Sequence, residues 1–545
     1  MTEYNIEKTE SAYAYPLLIR HLLSRLNAQH SDQEIVYAND RRLTYGEFFD
    51  RVGRLACVLK QWGIGPGDTV AVMDWDSHRY LECFFAVPMI GAVLHTINIR
   101  LAPEQILYTV NHARDTVILA HDDFSPLLSA FEGKMPSVKR TIRLTDSVDP
   151  AMPDSHSFDG EYESLLAQAP GDYQVQDFDE NIRATTFYTT GTTGNPKGVY
   201  FSQRQIVLHT LGLSVGLTSA VGQGRLHLED VYMPITPMFH VHAWGVPYVA
   251  TMLGVKQIYP GRYEPEKLLR LIEKENVTFS HCVPTILHML LSDPAAERVD
   301  LSQWKVIIGG SALPPALAKR ARDLGIDVFG GYGMSETCPV LTLAQVDLDA
   351  ASMNDPDQLD LRCKAGRALP LVDLQVVDSA LHTLPRDGQT TGEVVVRAPW
   401  LTQGYLDDPE RSEELWDGGY LHTGDIGHID TAGYLKVTDR MKDVIKSGGE
   451  WISSIELEDI ALTCEGVSEA AAVGIPDEKW GERPLVLVVS GSDALDLAEV
   501  VSLFEARAKA GQLSHWAIPT VQRVDEIPKT SVGKIDKKKL RSQYG

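Results

Sequence analysis

The sequence TTFYTTGTTGNPKGVYFSQRQ occupies residues 185–205 and combines a strand, a loop and the start of a helix. An apolar strand enters a loop rich in glycine and threonine that ends at Lys197, and Ser202 and Gln205 have capping-box spacing for the helix that follows. Small residues let backbone N–H groups approach a phosphate closely, hydroxyls add donors, and the lysine supplies charge. The loop differs from a Walker A motif, because no Gly-Lys-Ser/Thr ending follows a four-residue spacer. It is predicted to hold phosphate; the alternative is a flexible glycine–threonine turn.

Strand–helix units lie on both sides of this loop. From Thr69 the run TVAVMDW is typical of a buried strand, and Ser77 has the position of a cap for the helix YLECFFAVPMI. Pro103 opens a helix that leads to the strand VILA, and KVIIGG leads through Pro314 and Pro315 into the helix ALAKRARDLG. Strands that alternate with helices predict an α/β fold in which mainly parallel sheets are covered by helices.

The character of the sequence changes in its last third. Between residues 387 and 435, short strands are separated by glycine and aspartate turns, which predicts a barrel-like β lobe. After the sequence DRMKD a compact α+β pattern begins, in which Ser454 is predicted to cap a helix over IELEDIALTC. We therefore predict a multi-lobed N-terminal domain over residues 1–439, a hinge over 440–444 and a small domain over 445–545.

The composition excludes several classes of partner. The 545 residues include 50 Lys and Arg against 74 Asp and Glu, and the net charge of −24 disfavours nucleic acid and stable attachment to an anionic membrane. No apolar run is long enough to cross a bilayer, and the opening residues do not resemble a secretory signal, so a soluble cytoplasmic protein is expected. The cysteines lie far apart without a CxxC pair, which favours reduced structural thiols. They are Cys57, Cys83, Cys282, Cys338, Cys363 and Cys464.

Six further blocks accompany the phosphate loop in a fixed order. They are MFHVHAWG from Met238, GGSALPP from Gly309, GYGMSET from Gly331, YLHTGD from Tyr420, GYLKVTDRMKDVIKSGGEWIS from Gly433 and PKTSVGK from Pro528. Together they resemble the adenylate-forming superfamily of acyl-CoA synthetases, adenylation domains and luciferases over nearly the whole chain. The resemblance implies an ATP-dependent, AMP-forming acid–thiol ligase that makes an acyl-CoA through an acyl-adenylate.

The resemblance also implies an ATP site. The phosphate loop would hold the β- and γ-phosphates, Tyr332 would stack on adenine, and Asp425 would accept hydrogen bonds from the ribose hydroxyls with help from Arg440. The structural alternatives are a packed core aromatic for Tyr332 and a turn cap for Asp425. The full predicted set is Thr189, Thr190, Gly191, Thr192, Thr193, Gly194, Lys197, Gly309, Gly310, Ser311, Gly331, Tyr332, Ser335, Asp425 and Arg440.

The implied catalytic residues are Lys534, His240 and Glu336. Lys534 would bridge the substrate carboxylate and the α-phosphate, although a lone lysine near a C-terminus is usually solvated. Glu336 would bind Mg²⁺ with Thr190 as a helper, since Mg²⁺ prefers oxygen ligands and needs few protein contacts. His240 would order the acyl and phosphate region. A zinc site at His240 and His242 is disfavoured, because the local pattern lacks its Cys and acidic partners.

The second half-reaction, attack of the CoA thiol on the adenylate, requires Lys534 to withdraw. The family rotates its small domain about a hinge in the DRMKD segment, where Lys442 stands. After rotation, Gly448 and Gly449 would line a pantetheine channel flanked by Trp451, and Arg483 would meet a CoA phosphate. The alternative for the two glycines is a simple turn.

The acyl pocket is expected between the blocks MFHVHAWG and GGSAL. Its predicted residues are His240, Trp244, Val246, Pro247 and Gly309. A bulky indole at Trp244 would shorten the pocket and favour short or medium acyl groups. The sequence resembles medium-chain fatty acyl-CoA ligases and 3-methylmercaptopropionyl-CoA ligases most closely, and we expect the thioether acid first and medium-chain fatty acids second.

Other activities of the same fold remain open from the sequence. A carrier-dependent adenylation domain, a luciferase-type oxygenase and a non-catalytic module that senses ATP or acyl-CoA are the alternatives. The sensor is disfavoured, because Lys534, Glu336 and Asp425 are all present. The expected partners are a small carboxylic acid, ATP and CoA, and a homodimer is expected from the general frequency of such assemblies.

Overall fold

A computed structural model of the chain describes residues 7, 9–24, 29–38, 41–147, 156–189, 195–220, 223–346, 355–447, 450–490, 495–530 and 534–545. Of Asp355, Glu450 and Trp451 it describes the backbone alone.

The chain folds into alternating strands and helices. Up to residue 440 the elements are β1 (Glu34–Tyr37), β2 (Arg41–Thr44), α1 (Tyr45–Gln61), β3 (Thr69–Met73), α2 (His78–Met89), β4 (Val93–Thr96), α3 (Pro103–Ala113), β5 (Asp115–His121), α4 (Ser125–Ala130), β6 (Arg140–Leu144), β7 (Gly160–Glu161), α5 (Tyr162–Gln168), β8 (Arg183–Thr189), β9 (Lys197–Ser202), α6 (Gln203–Thr218), β10 (Val231–Pro234), the single turn α7 (Val241–Trp244), α8 (Val246–Leu253), β11 (Lys256–Tyr259), α9 (Pro265–Glu275), β12 (Phe279–Cys282), α10 (Pro284–Ser292), β13 (Lys305–Ile308), α11 (Pro315–Asp323), β14 (Asp327–Gly333), β15 (Val340–Leu343), α12 (Asp355–Cys363), β16 (Arg367–Ala368), β17 (Asp373–Val377), β18 (Gly392–Arg397), α13 (Pro409–Glu414), β19 (Trp416–Asp417), β20 (Tyr420–Ile429) and β21 (Leu435–Arg440). The remaining elements are β22 (Ile445–Ser447), β23 (Glu450–Ile452), α14 (Ser454–Leu462), β24 (Val467–Asp477), β25 (Gly481–Ser490), α15 (Leu497–Lys509), β26 (Thr520–Arg523) and α16 (Lys537–Tyr544). Short 3-10 helices cover Ile19–Leu23, Asp122–Phe124, Pro294–Glu297, Ser335–Thr337 and His515–Ala517.

Two large sheets form the body of the N-terminal part. One has seven strands in the order β7-β6-β5-β3-β4-β8-β9, parallel except for the last pair. The other has nine strands in the order β16-β15-β14-β13-β12-β10-β11-β1-β2, with a parallel centre and antiparallel edges. The predicted α/β class is confirmed. Both sheets end in loops that carry predicted site residues, as parallel sheets do at their carboxyl edges.

Two smaller sheets follow in the sequence. Strands β17 to β21 form an antiparallel five-stranded sheet, which is the β lobe that the glycine and aspartate turns predict. Strands β22 to β26 form a separate five-stranded sheet covered by α14, α15 and α16. The last strand of the β lobe ends at Arg440 and the first strand of the small sheet begins at Ile445, so the change of sheet falls within the predicted hinge.

The helix caps follow the sequence signals with one exception. Ser77 accepts a hydrogen bond from the Tyr80 amide, and Ser202 and Gln205 form the predicted capping box of α6. The prediction that Ser454 caps α14 is wrong. The cap is Ser453, whose side chain accepts a hydrogen bond from the Glu456 amide. Ser454 is the first helical residue, and it donates its own N–H and hydroxyl to Asp439.

Two expectations from composition can be compared with the structure. All six cysteines are free thiols, and each is buried except Cys363, which is partly exposed. Within the described ranges, no helix has both the length and the apolar character that crossing a bilayer requires.

Candidate active site

The phosphate loop connects two paired antiparallel strands, β8 and β9. Thr189 ends β8 and lies opposite Lys197, which begins β9, so the loop between them is closed at its base by antiparallel pairing. The predicted ligands Thr190, Gly191, Thr192, Thr193 and Gly194 lie outside the described residues. A hydrogen bond from a distant segment also holds the base of the loop, because the Leu406 amide donates to the Gly198 carbonyl at 2.8 Å.

A tyrosine links the base of the loop to Glu336. The Lys197 ammonium lies 4.3 Å from the centre of the Tyr405 ring, and the Tyr405 hydroxyl donates to Glu336 Oε1 at 2.8 Å. Burial and the negative charge of Glu336 raise the pKa of Tyr405, so its hydroxyl keeps its proton and remains a donor. Glu336 is itself buried, with 8% of its surface exposed, and is therefore held in one orientation.

The predicted nucleoside residues converge on one carboxylate. The Tyr332 hydroxyl donates to Asp425 Oδ2 at 2.7 Å, and Arg440 Nε lies 3.2 Å from Asp425 Oδ1. Asp425 and Arg440 face each other across the β20–β21 pair, which fixes their separation. Burial, and next the charge of Asp425, raise the pKa of Tyr332 well above its ordinary value. The three side chains form one connected polar group.

The glycines after β13 and in β14 bring two backbones close together. A Cβ atom on Gly309 would lie 2.9 Å from the Gly331 carbonyl oxygen, closer than Cβ contacts normally come. Ser311 is exposed in the loop that follows, and Ser335 begins the short helix that carries Glu336. A side chain at Gly309 would meet the Gly331 carbonyl and the Trp244 indole, so its absence leaves a narrow passage beside these two neighbouring strands of the nine-stranded sheet.

Lys534 reaches into this passage from the small domain. Its Cε lies 3.3 Å, and its Nζ 3.9 Å, from the position that a Cβ on Gly310 would occupy. The Thr530 amide donates to the Lys534 carbonyl at 2.7 Å, which anchors the segment. Burial, and then the charge of Arg440, lower the pKa of Lys534 to about 8, while Asp425 and Glu336 oppose the change. The ammonium therefore shares one electrostatic environment with the predicted ATP residues.

The two histidines of the block from Met238 differ in exposure, since His240 is partly exposed and His242 is buried. Burial, and then the charges of Lys534 and Arg100, lower the pKa of His240 to about 3, so this imidazole is neutral at physiological pH. His242 packs against Phe84 and Phe187 with both ring centres 5.5 Å away, and its ring nitrogens have no hydrogen-bond partner in the described part of the chain. No group of three or more metal-binding side chains occurs among the described residues.

The acyl side of the site is built on an unusual turn. Val241, His242, Ala243 and Trp244 all have positive φ, between 48° and 59°, so α7 is left-handed. The turn directs the Trp244 indole onto Gly309, where a Cβ would lie 3.0 Å from Trp244 Cη2. The indole is 5% exposed, and its centre lies 4.9 Å from that of His281. The neighbouring predicted residues Val246 and Pro247 are buried at the start of α8.

The described residues of the predicted CoA set lie in the small sheet, where the Arg483 guanidinium donates to the Ser447 hydroxyl at 3.4 Å. Gly448 and Gly449 lie outside the described residues, and the Trp451 backbone pairs with Lys446 in the β22–β23 hairpin. Arg483 donates to the Trp516 carbonyl at 2.8 Å and to the Ile518 carbonyl at 3.2 Å. The Arg483 guanidinium therefore has a structural role in this conformation, in addition to any contact with CoA.

Sequence reasoning missed Tyr405 and Asp439. Tyr405 connects Lys197 with Glu336 but lies far from both in the chain, and its local sequence GYLDDP resembles an ordinary turn. Asp439 precedes the predicted ribose residue Arg440 and binds the start of α14. The block that contains it is the only sequence signal that pointed to this region. Lys442, the predicted hinge residue, is exposed between β21 and β22.

Comparison with known proteins gives relatives along nearly the whole chain. A long-chain-fatty-acid–CoA ligase from Thermus thermophilus is 40% identical over 508 residues, which cover 92% of this chain and 90% of the relative. A 3-methylmercaptopropionyl-CoA ligase from Ruegeria lacuscaerulensis is 36% identical, with 97% of each chain covered. A medium-chain-fatty-acid–CoA ligase from Ectopseudomonas oleovorans is also 36% identical, with 97% of this chain and 96% of the relative covered.

Solved structures share the fold. A crystal structure of the anthranilate CoA ligase AuaEII with anthranoyl-AMP superposes with a TM-score of 0.85 at 22% identity and covers 97% of this chain and 98% of its own. Profiles of protein families match residues 23–406 to the AMP-binding enzymes and residues 456–534 to the AMP-binding enzyme C-terminal domain. With both profiles matched in order, the chain belongs to the AMP-binding enzyme family.

Proposed function

We propose that this adenylate-forming acyl-CoA ligase acts on a short or medium-length, unbranched acid, with 3-methylmercaptopropionate preferred and medium-chain fatty acids as the alternative. The observation that carries the proposal is the Trp244 indole packed on Gly309, which would limit the depth of the acyl pocket. A thioether is close in shape to a methylene chain, so one apolar pocket of modest length suits both acids. The names of two of the three relatives support this range; the third is named for long chains.

In the first half-reaction, the carboxylate of the acid attacks the α-phosphate of ATP and pyrophosphate leaves. Two unit charges about 4 Å apart repel by roughly 4 kcal/mol at an effective dielectric of 20, so positive charge must already be in place. Lys534 supplies it, because a pKa of about 8 leaves the ammonium mostly protonated at pH 7. Its role is to orient the two anions and stabilise the charge that develops between them.

Mg²⁺ is the metal that suits this site. Glu336 offers a buried carboxylate, one oxygen of which is oriented by the Tyr405 hydroxyl, and a hard oxygen ligand is what Mg²⁺ prefers. We propose that Glu336 holds the ion together with Thr190. When bound, Mg²⁺ neutralises charge on the phosphates of ATP.

The remaining ATP contacts divide between the two sides of the passage. Thr189 to Gly194 and Lys197 would hold the β- and γ-phosphates, and Gly309 to Ser311, Gly331, Tyr332 and Ser335 would hold the adenine end. Asp425 and Arg440 would bind the ribose, and the Tyr332 hydroxyl already occupies one Asp425 oxygen. The carboxylate can accept more than one hydrogen bond on each oxygen, so this contact leaves room for the diol.

In the second half-reaction, the CoA thiol attacks the acyl carbon and AMP leaves. Lys534 lies against Gly310 in the structure, where it would obstruct that approach. We propose that the small domain rotates at Lys442, which withdraws Lys534 and brings the segment of Gly448, Gly449 and Trp451 to the adenylate.

Pyrophosphate release measured with and without CoA tests the proposal. The acids are acetate, butyrate, hexanoate, octanoate, palmitate and 3-methylmercaptopropionate, each titrated to obtain kcat/KM. The highest kcat/KM for the thioether acid supports the first assignment, and a maximum at hexanoate or octanoate supports the alternative. A maximum at palmitate would contradict the short pocket that Trp244 forms.

A further inference from the structure

A buried carboxylate joins the two domains next to the hinge. Asp439 lies in β21, paired with Ile426 of the β lobe, and only 2% of its surface is exposed. Its Oδ2 accepts the Ser454 N–H at 2.5 Å, and its Oδ1 accepts the Ser454 hydroxyl at 3.0 Å. Ser454 is the first residue of α14 and fully buried. A large-domain carboxylate therefore occupies the N-terminus of a small-domain helix, where the helix dipole favours negative charge.

Neighbouring contacts make this junction specific to one orientation of the domains. The Ser453 hydroxyl donates to the Thr438 carbonyl at 2.5 Å, one residue before Asp439. On the other side, Lys537 donates to the Ser454 hydroxyl at 2.6 Å and pairs with Glu458 at 2.6 Å. The positive charge of Lys537 offsets the negative charge of the buried Asp439 carboxylate. Because β21 is held by the β lobe and α14 by the small sheet, these bonds cannot survive a large rotation between the domains.

The same orientation brings Lys534 to Gly310. The junction and the lysine contact occur together in the structure. Only the residues between Arg440 and Ile445 join the two sheets, so little else in the backbone determines the angle between them. A rotation at Lys442 would carry Ser453, Ser454 and Lys534 away while Asp439 stays in β21.

We propose that Asp439 is a positioning residue of the first half-reaction, which holds the small domain in the orientation that delivers Lys534 to the acid and the α-phosphate. Release of Ser454 from Asp439 is then a required part of the passage to thioester formation. The inference rests on the two-step cycle proposed above. Asp439 touches neither substrate, so its effect on the reaction passes through the domain orientation.

The test separates the two half-reactions in the full-length enzyme. Adenylation is measured as ATP–pyrophosphate exchange at saturating acid, and the second step as acyl-CoA formation from supplied acyl-adenylate and CoA. In Asp439→Asn the negative charge is lost, so the bond from the Ser454 N–H becomes a neutral one. The bond at the Ser454 hydroxyl must reverse its direction, because the side-chain NH₂ faces an oxygen that already accepts from Lys537. We expect exchange to fall about 10- to 100-fold. Thioester formation from the adenylate stays unchanged or becomes faster.

Two further variants keep the result interpretable. Ser454→Ala removes the hydroxyl but keeps the amide donor, so exchange should fall less, by about three- to tenfold, again without loss in the second step. Asp373→Asn changes an exposed carboxylate of the same β lobe and should alter neither step. Thermal unfolding identifies a variant that fails to fold, and Ser454→Ala then carries the test.

The outcomes are distinct. Equal losses in both half-reactions, or no change in either for the Asp439 and Ser454 variants, would overturn the positioning role. Failure of the wild-type enzyme to exchange pyrophosphate with any acid would instead overturn the proposed function.

Discussion

Replacement of Trp244 by alanine should lengthen the acyl pocket. The indole packs on Gly309 and is almost fully buried, in a cluster that includes Leu213 and Phe329, so its removal opens space inside the apolar core. Each methylene that enters such space gains about 0.8 kcal/mol, or about fourfold in kcat/KM. From octanoate to decanoate the variant should therefore gain about 1.6 kcal/mol, or about 15-fold, relative to the wild type.

The assay is kcat/KM for acyl-CoA formation across even-numbered acids from butyrate to palmitate. Deletion of a buried tryptophan also destabilises a protein by about 3–5 kcal/mol, and this cost must be separated from the change in specificity. Trp304→Ala is the matched control, because Trp304 is 1% exposed in a different apolar cluster and donates to Ser280. The control should lower the unfolding temperature without changing the chain-length profile. A folded Trp244→Ala enzyme with the wild-type profile would refute the pocket.

Three other perturbations address Lys534 and the hinge. Lys534→Ala should nearly abolish pyrophosphate exchange but spare acyl-CoA formation from supplied acyl-adenylate, and equal loss in both steps would contradict its role. The charged form of Lys534 is lost as pH rises through its pKa of about 8, so the adenylation rate should fall above that pH in the wild type, and a flat profile from pH 7 to 10 would count against it. Lys442→Pro should restrict the hinge and slow the overall reaction by at least about tenfold, whereas unchanged acyl-CoA formation would argue against rotation.

Local patterns in the sequence were sufficient for the fold class and for most helix starts. The strand at Thr69 and the capping box of Ser202 and Gln205 depend on neighbouring residues, so periodicity and spacing identified them. The cap of α14 was misassigned by one residue for a tertiary reason. Ser453 and Ser454 are adjacent serines, and the contact of Ser454 with Asp439 in another domain decides which of them caps the helix.

The site shows the same division between local and distant causes. The phosphate loop and the ordered blocks predict Lys197, Glu336 and Lys534 as site residues, but they do not predict the Tyr405 ring that lies between the first two. Tyr405 reaches them because Leu406 pairs with the backbone of Gly198, a contact between segments that are distant in sequence. A single chain without aligned relatives carries no signal for such a pairing.

The left-handed turn α7 is the part of the site that the backbone preferences of its own residues disfavour. Val241, His242, Ala243 and Trp244 are not residues that favour positive φ, and left-handed backbone costs roughly 1–2 kcal/mol per residue. Tertiary packing has to offset this cost. Val241 and Ala243 pack into an apolar cluster that also contains Phe84 and Phe187, while Trp244 packs into a second cluster against Gly309. A right-handed turn would change these directions, so the packing of these side chains sustains a strained backbone that places the indole at the end of the proposed acyl pocket.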